Sequence, residues 1–131
     1  MEMQIATVET DLFEHRQVKP HFINDCCFGE DFAEWLKQRL GNSEFESSDP
    51  IQEDYGWGLW VTLAKQKFWI ALSYVGDGPT ETPAQWVISM TRPTSLNIMR
   101  WLFSKPDLTA AEALQARIRR ELRSTAGISV L

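Results

Sequence analysis

The sequence is poor in the residues that most often carry covalent or metal chemistry. It holds two cysteines and two histidines in 131 residues, and no long apolar run. The longest uninterrupted apolar stretch covers only Phe68 to Leu72, far short of the ~20 residues a membrane helix needs. The start, Met1-Glu2-Met3-Gln4, carries an acid where a secretory leader has a basic region, and no apolar stretch follows it. The expectation is a cytoplasmic protein without a membrane span. The cysteines are neighbours, Cys26 and Cys27, and a vicinal disulfide between them is possible but strained, because a trans peptide holds their Cα atoms only ~3.8 Å apart. In an extended segment adjacent side chains point to opposite faces. Together with His15 and His21 the order is His-x5-His-x4-Cys-Cys, which fits none of the usual zinc spacings. No metal site is expected, and both thiols are expected to be reduced. There is no glycine-rich phosphate loop, no G-x-S-x-G elbow and no H-E-x-x-H. No catalytic residue and no cofactor therefore follow from motif chemistry.

Basic residues are also missing from a whole stretch. Leu40 to Ala64 contains Glu44, Glu46, Asp49, Glu53 and Asp54 but no Lys or Arg, whereas Thr82 to Pro106 contains Arg92, Arg100 and Lys105 but no acid. With a net charge of −5, nucleic acid is disfavoured, because its phosphates would be repelled on average. The segregation reads either as solvated surfaces, with an acidic loop resting on a basic helix, or as an acidic patch for a basic partner.

What the chain does have is apolar and aromatic mass: 44% hydrophobic residues, six Trp and seven Phe. That suits one domain spanning residues 1–131 with a packed core. Glu30 to Leu40 is a helix by its spacing, with Phe32, Trp35, Leu36 and Leu40 on one face, acids in its first turn and bases in its last. Gly41 is its stop. Strands follow over 59–64, 68–75 and 85–91, with Lys65-Gln66-Lys67 as a tight hairpin connection and Gly76-Asp77-Gly78-Pro79 opening a longer one. A helix from Thr94 or Ser95 runs to about Ser104. Another starts at a capping box, Thr109 to Glu112, and buries Ala111, Leu114, Ile118 and Leu122. Gly127 ends it before a short strand from Ile128. Residues 1–15 read as an edge strand or a loose arm, and His21-Phe22-Ile23 as a short strand.

Strand alternation divides the sheet into two faces. Leu59, Val61, Leu63, Phe68, Ile70, Leu72, Tyr74, Trp86, Ile88 and Met90 share an apolar face that helices must cover. Trp60, Thr62, Ala64, Trp69, Ala71, Ser73, Val87, Ser89 and Thr91 share a mixed one. The expected fold is α+β, an antiparallel meander with helices packed on one face in two layers. The mixed face carries too much tryptophan for plain solvated surface. It is expected to be closed by the arm, through Ile5, Val8, Leu12 and Phe13, by a second copy in a homodimer, or by a partner.

The most distinctive stretch is Gln52 to Trp60. Glu53 and Asp54 lead into Tyr55, Trp57 and Trp60 across two glycines, and with Trp69 these are the candidate binding residues. The carboxylates would serve a cation or an amine and the rings would stack on a ligand. The same residues also make structural sense, as a turn whose free backbone N–H groups are satisfied by acids. Gln52-Glu53-Asp54-Tyr55-Gly56-Trp57, with Phe22 to Cys27 before it and Phe68-Trp69-Ile70 after it, resembles a group of small hypothetical bacterial proteins. They carry a similar acid-acid-aromatic-Gly-Trp signature between a helix and a meander. The resemblance covers roughly residues 20–103 and implies a bacterial, cytosolic origin but no activity. Two functions follow from the residues. One is a non-catalytic binding protein, of inhibitor, immunity or adaptor type, whose partner is a protein or a second copy. The other is a small-ligand binder or enzyme built on Glu53 to Trp60.

Overall fold

A computed structural model describes residues 2–23, 27–41, 43–76, 83–92 and 108–131. Within these, β1 is Glu2–Glu9, α1 Glu30–Leu40, β2 Glu46–Ser47, β3 Ile51–Glu53, β4 Gly56–Leu63, β5 Gln66–Val75, β6 Gln85–Thr91, α2 Leu108–Arg123 and β7 Ser129–Val130. The strands form one curled, wholly antiparallel sheet in the order β2-β4-β5-β6-β1-β7, with β3 pairing to β4 beside β2. Sheet and helices together make the chain α+β. The helix read from Thr94 or Ser95 to Ser104 and most of the Gly76–Pro83 connection lie outside the described residues.

The apolar face is as the alternation requires. Leu59, Val61, Phe68, Ile70, Leu72, Trp86, Ile88 and Met90 are buried, and they form one core with Phe32, Ala33, Leu36 and Leu40 of α1 and Ala110, Ala111, Leu114, Ile118 and Leu122 of α2. α1 packs on β4 and β2, α2 on β1 and β7. Burying each Leu or Ile is worth about 1.5–3 kcal/mol. The start of α1 has no side-chain N-cap, since Gly29 stands there at φ 126°. Asp31 substitutes from inside the first turn. Its carboxylate accepts the Phe32 N–H at 2.9 Å and the Glu14 N–H at 2.7 Å, fastening the segment after β1 to the helix.

Several expectations need correction. β1 is neither an arm nor an edge strand, because it lies between β6 and β7. Its Ile5 and Val8, and Phe13 beyond it, belong to the helix-side core, so they do not cover the mixed face. Leu12 is exposed. The hairpin between β4 and β5 turns at Ala64-Lys65, and Gln66 and Lys67 already pair in β5. Both loop residues have positive φ, 50° and 66°, the requirement of a two-residue turn whose twist matches that of the strands. His21-Phe22-Ile23 is irregular rather than extended pairing. Gly41 ends α1 in an extended conformation, not a left-handed one. α2 has begun by Leu108, one residue before Thr109.

Two bulges shape the sheet. In β1 the register to β6 shifts between Gln4 and Ala6. On the β2–β3 edge, Ser48 still pairs with Trp60 through its N–H at 2.8 Å, and its hydroxyl accepts the Trp60 N–H at 2.9 Å. Pairing resumes at Ile51 opposite Gly58, so Asp49 and Pro50 both face Leu59. A proline is tolerated there because a bulged edge asks no N–H of it.

Candidate functional site

Parity along β4 separates the aromatics of the distinctive stretch. Trp57 and Leu59 point into the core, Gly58 and Trp60 to the other side. Trp57 is buried, donates its indole N–H to the Cys27 carbonyl at 2.8 Å and packs against Phe22 and His21. It is therefore not brought together with Trp60 and Trp69.

Those two stand directly opposite each other on β4 and β5. Their ring centroids are 5.0 Å apart with a 60° tilt, and both are half-buried. Tyr55 joins them, its hydroxyl accepting the Trp69 indole N–H at 2.7 Å. The Lys67 ammonium lies 4.9 Å from the Trp60 ring centre, close enough for attraction to the ring quadrupole. Gly58 makes the arrangement possible. A Cβ there would come within 2.2 Å of Trp69 Cζ2 and 2.7 Å of the Ile70 carbonyl, so Trp69 lies over bare backbone. Around the pair, register places Ala71, Ser89 and Gln4 in the row of Gly58, Thr91 in the row of Trp60, and Ser73, Val87 and Thr7 in the next. The face is small and hydroxylated, with two indoles at one end.

Glu53 and Asp54 are exposed, at the turn joining β3 to β4. They line no part of a depression found among the described residues. That depression, about 320 Å³, is bordered by Glu9, Thr10, Asp11, Leu12, Pro83, Gly127 and Ser129, near the β1–β7 pair. Asp49 is bound to Lys37 of α1; the basic helix on which the acidic loop was expected to rest lies outside the described residues. Each partner reinforces the other's charge: the shared hydrogen bond holds the Asp49 carboxyl below, and the Lys37 ammonium above, its usual range.

The histidines are positioned structurally. His21 binds Glu30. His15 is buried at 3% exposure, stacks on Tyr74, and sets Nε2 3.3 Å from an Asp11 oxygen, while its Nδ1 has no partner. That same Asp11 oxygen accepts the Ala84 N–H at 3.0 Å. The Asp11–His15 contact escaped sequence reading because no helix connects the two positions. The expectation of reduced thiols is overturned at Cys27, which is disulfide-bonded; Cys26 lies outside the described residues. The Cys27 sulfur, having no proton, meets the Asp54 carbonyl at 3.0 Å as a contact and not as a hydrogen-bond donor. No three of the described His, Cys, Asp and Glu side chains are grouped to hold a metal ion. No described helix is long and apolar enough to cross a membrane.

Lys67 and Glu46 are the residues of this face that motif reading missed, and Gly58, read there as permitting a turn, instead makes room for Trp69. Their signal was present in the cross-strand register rather than in the linear sequence. No protein-family model matches the chain, and neither a curated protein nor a solved structure is significantly similar to it.

Proposed function

We propose that this chain is a small non-catalytic binding protein whose partner is another protein, in the manner of an inhibitor, immunity or adaptor protein. The observation that carries the reading is the Trp60–Trp69–Tyr55 group, tied together by a hydrogen bond and lying outside the core. Trp and Tyr are the side chains most often found to anchor protein interfaces, and a sequence that only needed a solvated face would not put two indoles on it. The two-layer arrangement, with the helices behind the sheet and this face in front, belongs to the same reading. So does the absence of nucleic acid as partner, given the charge of −5.

The small-ligand alternative on Glu53 to Trp60 has less support, because Trp57 is turned into the core and both carboxylates are exposed at a hairpin turn. A cytoplasmic location goes with the proposal. The test is affinity capture from the source cell with wild type and with Trp60→Ala and Trp69→Ala, each first shown to unfold cooperatively. A protein held by wild type and released by both variants supports the reading. Identical capture by all three overturns it.

A further inference from the structure

We propose that the aromatic face docks a protein segment presenting arginine side chains among apolar ones; this deepens the protein-binding reading above and rests on it. The face already holds one cation against an indole, Lys67 on Trp60. The chain uses the same chemistry elsewhere, with the Arg39 guanidinium 5.3 Å from the Trp35 ring centre. Trp69 has one side of its indole against the backbone at Gly58 and the Trp60 ring 5.0 Å away, and it is only half-buried overall, so part of the side chain stays accessible to a partner's planar cation. Guanidinium suits that surface better than ammonium, being planar and more weakly hydrated.

Carboxylates mark the margins of the same face. Glu46 is exposed in the cross-strand row of Thr62 and Lys67. At the opposite end Glu9 stands in the row of Gln85 and Val75, with Asp11 beside it around the depression. Exposed apolar side chains share the face: Ile51 in the row of Gly58, between these ends, and Val75 in Glu9's own row, at 40% and 42% exposure. Acids at the ends and apolar groups on the same face complement a partner that alternates cations with apolar contacts. A second copy would bring the same acids against these, and nucleic acid would bring phosphates. Like charges facing one another disfavour both.

The experiment titrates the full chain with four peptides of one apolar composition, differing only in carrying arginine, lysine, glutamine or glutamate at the same positions. The indole N–H signals are followed by NMR, with Trp60 and Trp69 assigned from Trp60→Phe and Trp69→Phe. The arginine peptide is expected to shift both signals saturably, the lysine peptide less, the glutamine peptide less again and the glutamate peptide not at all. Glu46→Gln combined with Glu9→Gln should weaken the arginine peptide several-fold, as should raising salt from about 50 to about 300 mM, which shortens the Debye length. Both substitutions remove charge from residues outside the core, so loss of the fold does not confound them. Equal response to glutamine and arginine, shifts confined to other tryptophans, no response to any peptide, or signals that move with protein concentration alone would each overturn the proposal. If the peptides fail while Trp60→Ala and Trp69→Ala still abolish capture, the arginine chemistry is wrong and the protein-binding reading stands.

Discussion

Ala64 and Lys65 hold left-handed backbone, at φ 50° and 66°, without being glycine or asparagine. Each side chain pays for that conformation through its Cβ, at about 1–2 kcal/mol for a residue with no local hydrogen bond to offset it. Ala64→Asn and Lys65→Gly supply the pair that such a turn prefers. Each is expected to raise stability by about 0.5–1 kcal/mol, the relief being partly offset by the extra unfolded-state freedom of glycine. Urea denaturation checks this, and a loss of stability in both would show that the turn has another geometry. Gly58 is the opposite case. Gly58→Ala would drive a Cβ into the Trp69 indole and the Ile70 carbonyl, and is expected to cost about 1–3 kcal/mol. It should also break the Trp69–Tyr55 bond, visible as a shifted indole N–H signal. Asp31 couples the fold to pH. Burial raises its carboxyl above the ordinary 3.8, against the two N–H bonds that lower it. The folded state therefore holds that proton more tightly than the unfolded state does. The stability Asp31 contributes is greatest below the ordinary value and falls as pH rises through the window up to its raised folded value. Glu14 works the other way. The Arg16 and Gln17 N–H groups, Arg16 first, hold its carboxyl below the ordinary 4.5, and that stability is lost as pH falls through the lowered value. Unfolding measured across acid pH should show Asp31→Asn removing the first dependence and Glu14→Gln the second. Unchanged pH profiles in both variants would remove the assignment.

At the scale of an element, β1 shows what a bulge demands. The register shift at Ile5 takes its carbonyl out of the ladder to β6, and the Arg119 Nε–H donates to it at 2.8 Å from α2. Arg119→Met keeps much of the apolar stem and removes the donor. It is expected to cost about 1–3 kcal/mol, with faster hydrogen exchange concentrated in β1. A variant exchanging like wild type there would mean that water satisfies the carbonyl equally well. The bulge also explains why this strand was hard to read. Ile5, Ala6 and Val8 are all buried, which is not a period of two, so the pattern looked like weak alternation at a chain end. Where strands are regular, as in β4 to β6, period alone put Leu59, Val61, Phe68, Ile70, Leu72, Trp86, Ile88 and Met90 in the core, but it missed Trp57, and Leu63 and Tyr74 are only partly buried. In α1 and α2 the 3.6-residue stripe found Phe32, Leu36, Leu40, Ala111, Leu114, Ile118 and Leu122, while Trp35 is only partly buried and Ala33 and Ala110 join the core beside the stripe. The hairpin turn was misplaced because Lys65-Gln66-Lys67 looks more polar than Ala64-Lys65, while the geometry depends on φ, which these side chains do not advertise. The candidate site was legible by halves. Trp60 and Trp69 follow from parity, but grouping Trp57 with them relied on closeness in sequence, and adjacent parity in a strand means opposite faces. Lys67 and Glu46 become visible only once the strands are aligned.

For the whole molecule, one core joins the sheet to both described helices, so truncation at either end of it should be felt globally. Ile70→Ala and Leu114→Ala are each expected to cost about 2–5 kcal/mol without splitting the unfolding transition. Losses within about 0.5 kcal/mol at both sites, the range of surface positions, would contradict the packing of α2 on this sheet. The charge distribution sets a second expectation at this scale, for self-association. A sheet face with two half-buried tryptophans invites a symmetric dimer, and two-fold dimers are the commonest oligomers. Stacking two copies face to face would set Glu9 and Glu46 of each against the acids of the other, with Lys67 as the one base in those rows, in a chain of charge −5. At low salt the Debye length exceeds about 10 Å, which spans such an interface, and it shortens to about 3 Å near 1 M. Repulsion therefore opposes the dimer most at low salt, while the apolar contribution does not depend on screening. Sedimentation should find a 15.1 kDa monomer at low salt, and any dimer should grow as salt is raised and vanish with Trp69→Ala. A dimer strongest at low salt and weakened by screening would mean that opposite charges hold the copies together. The acidic margins would then be a self-recognition device, and the basic partner inferred for this face would be unnecessary.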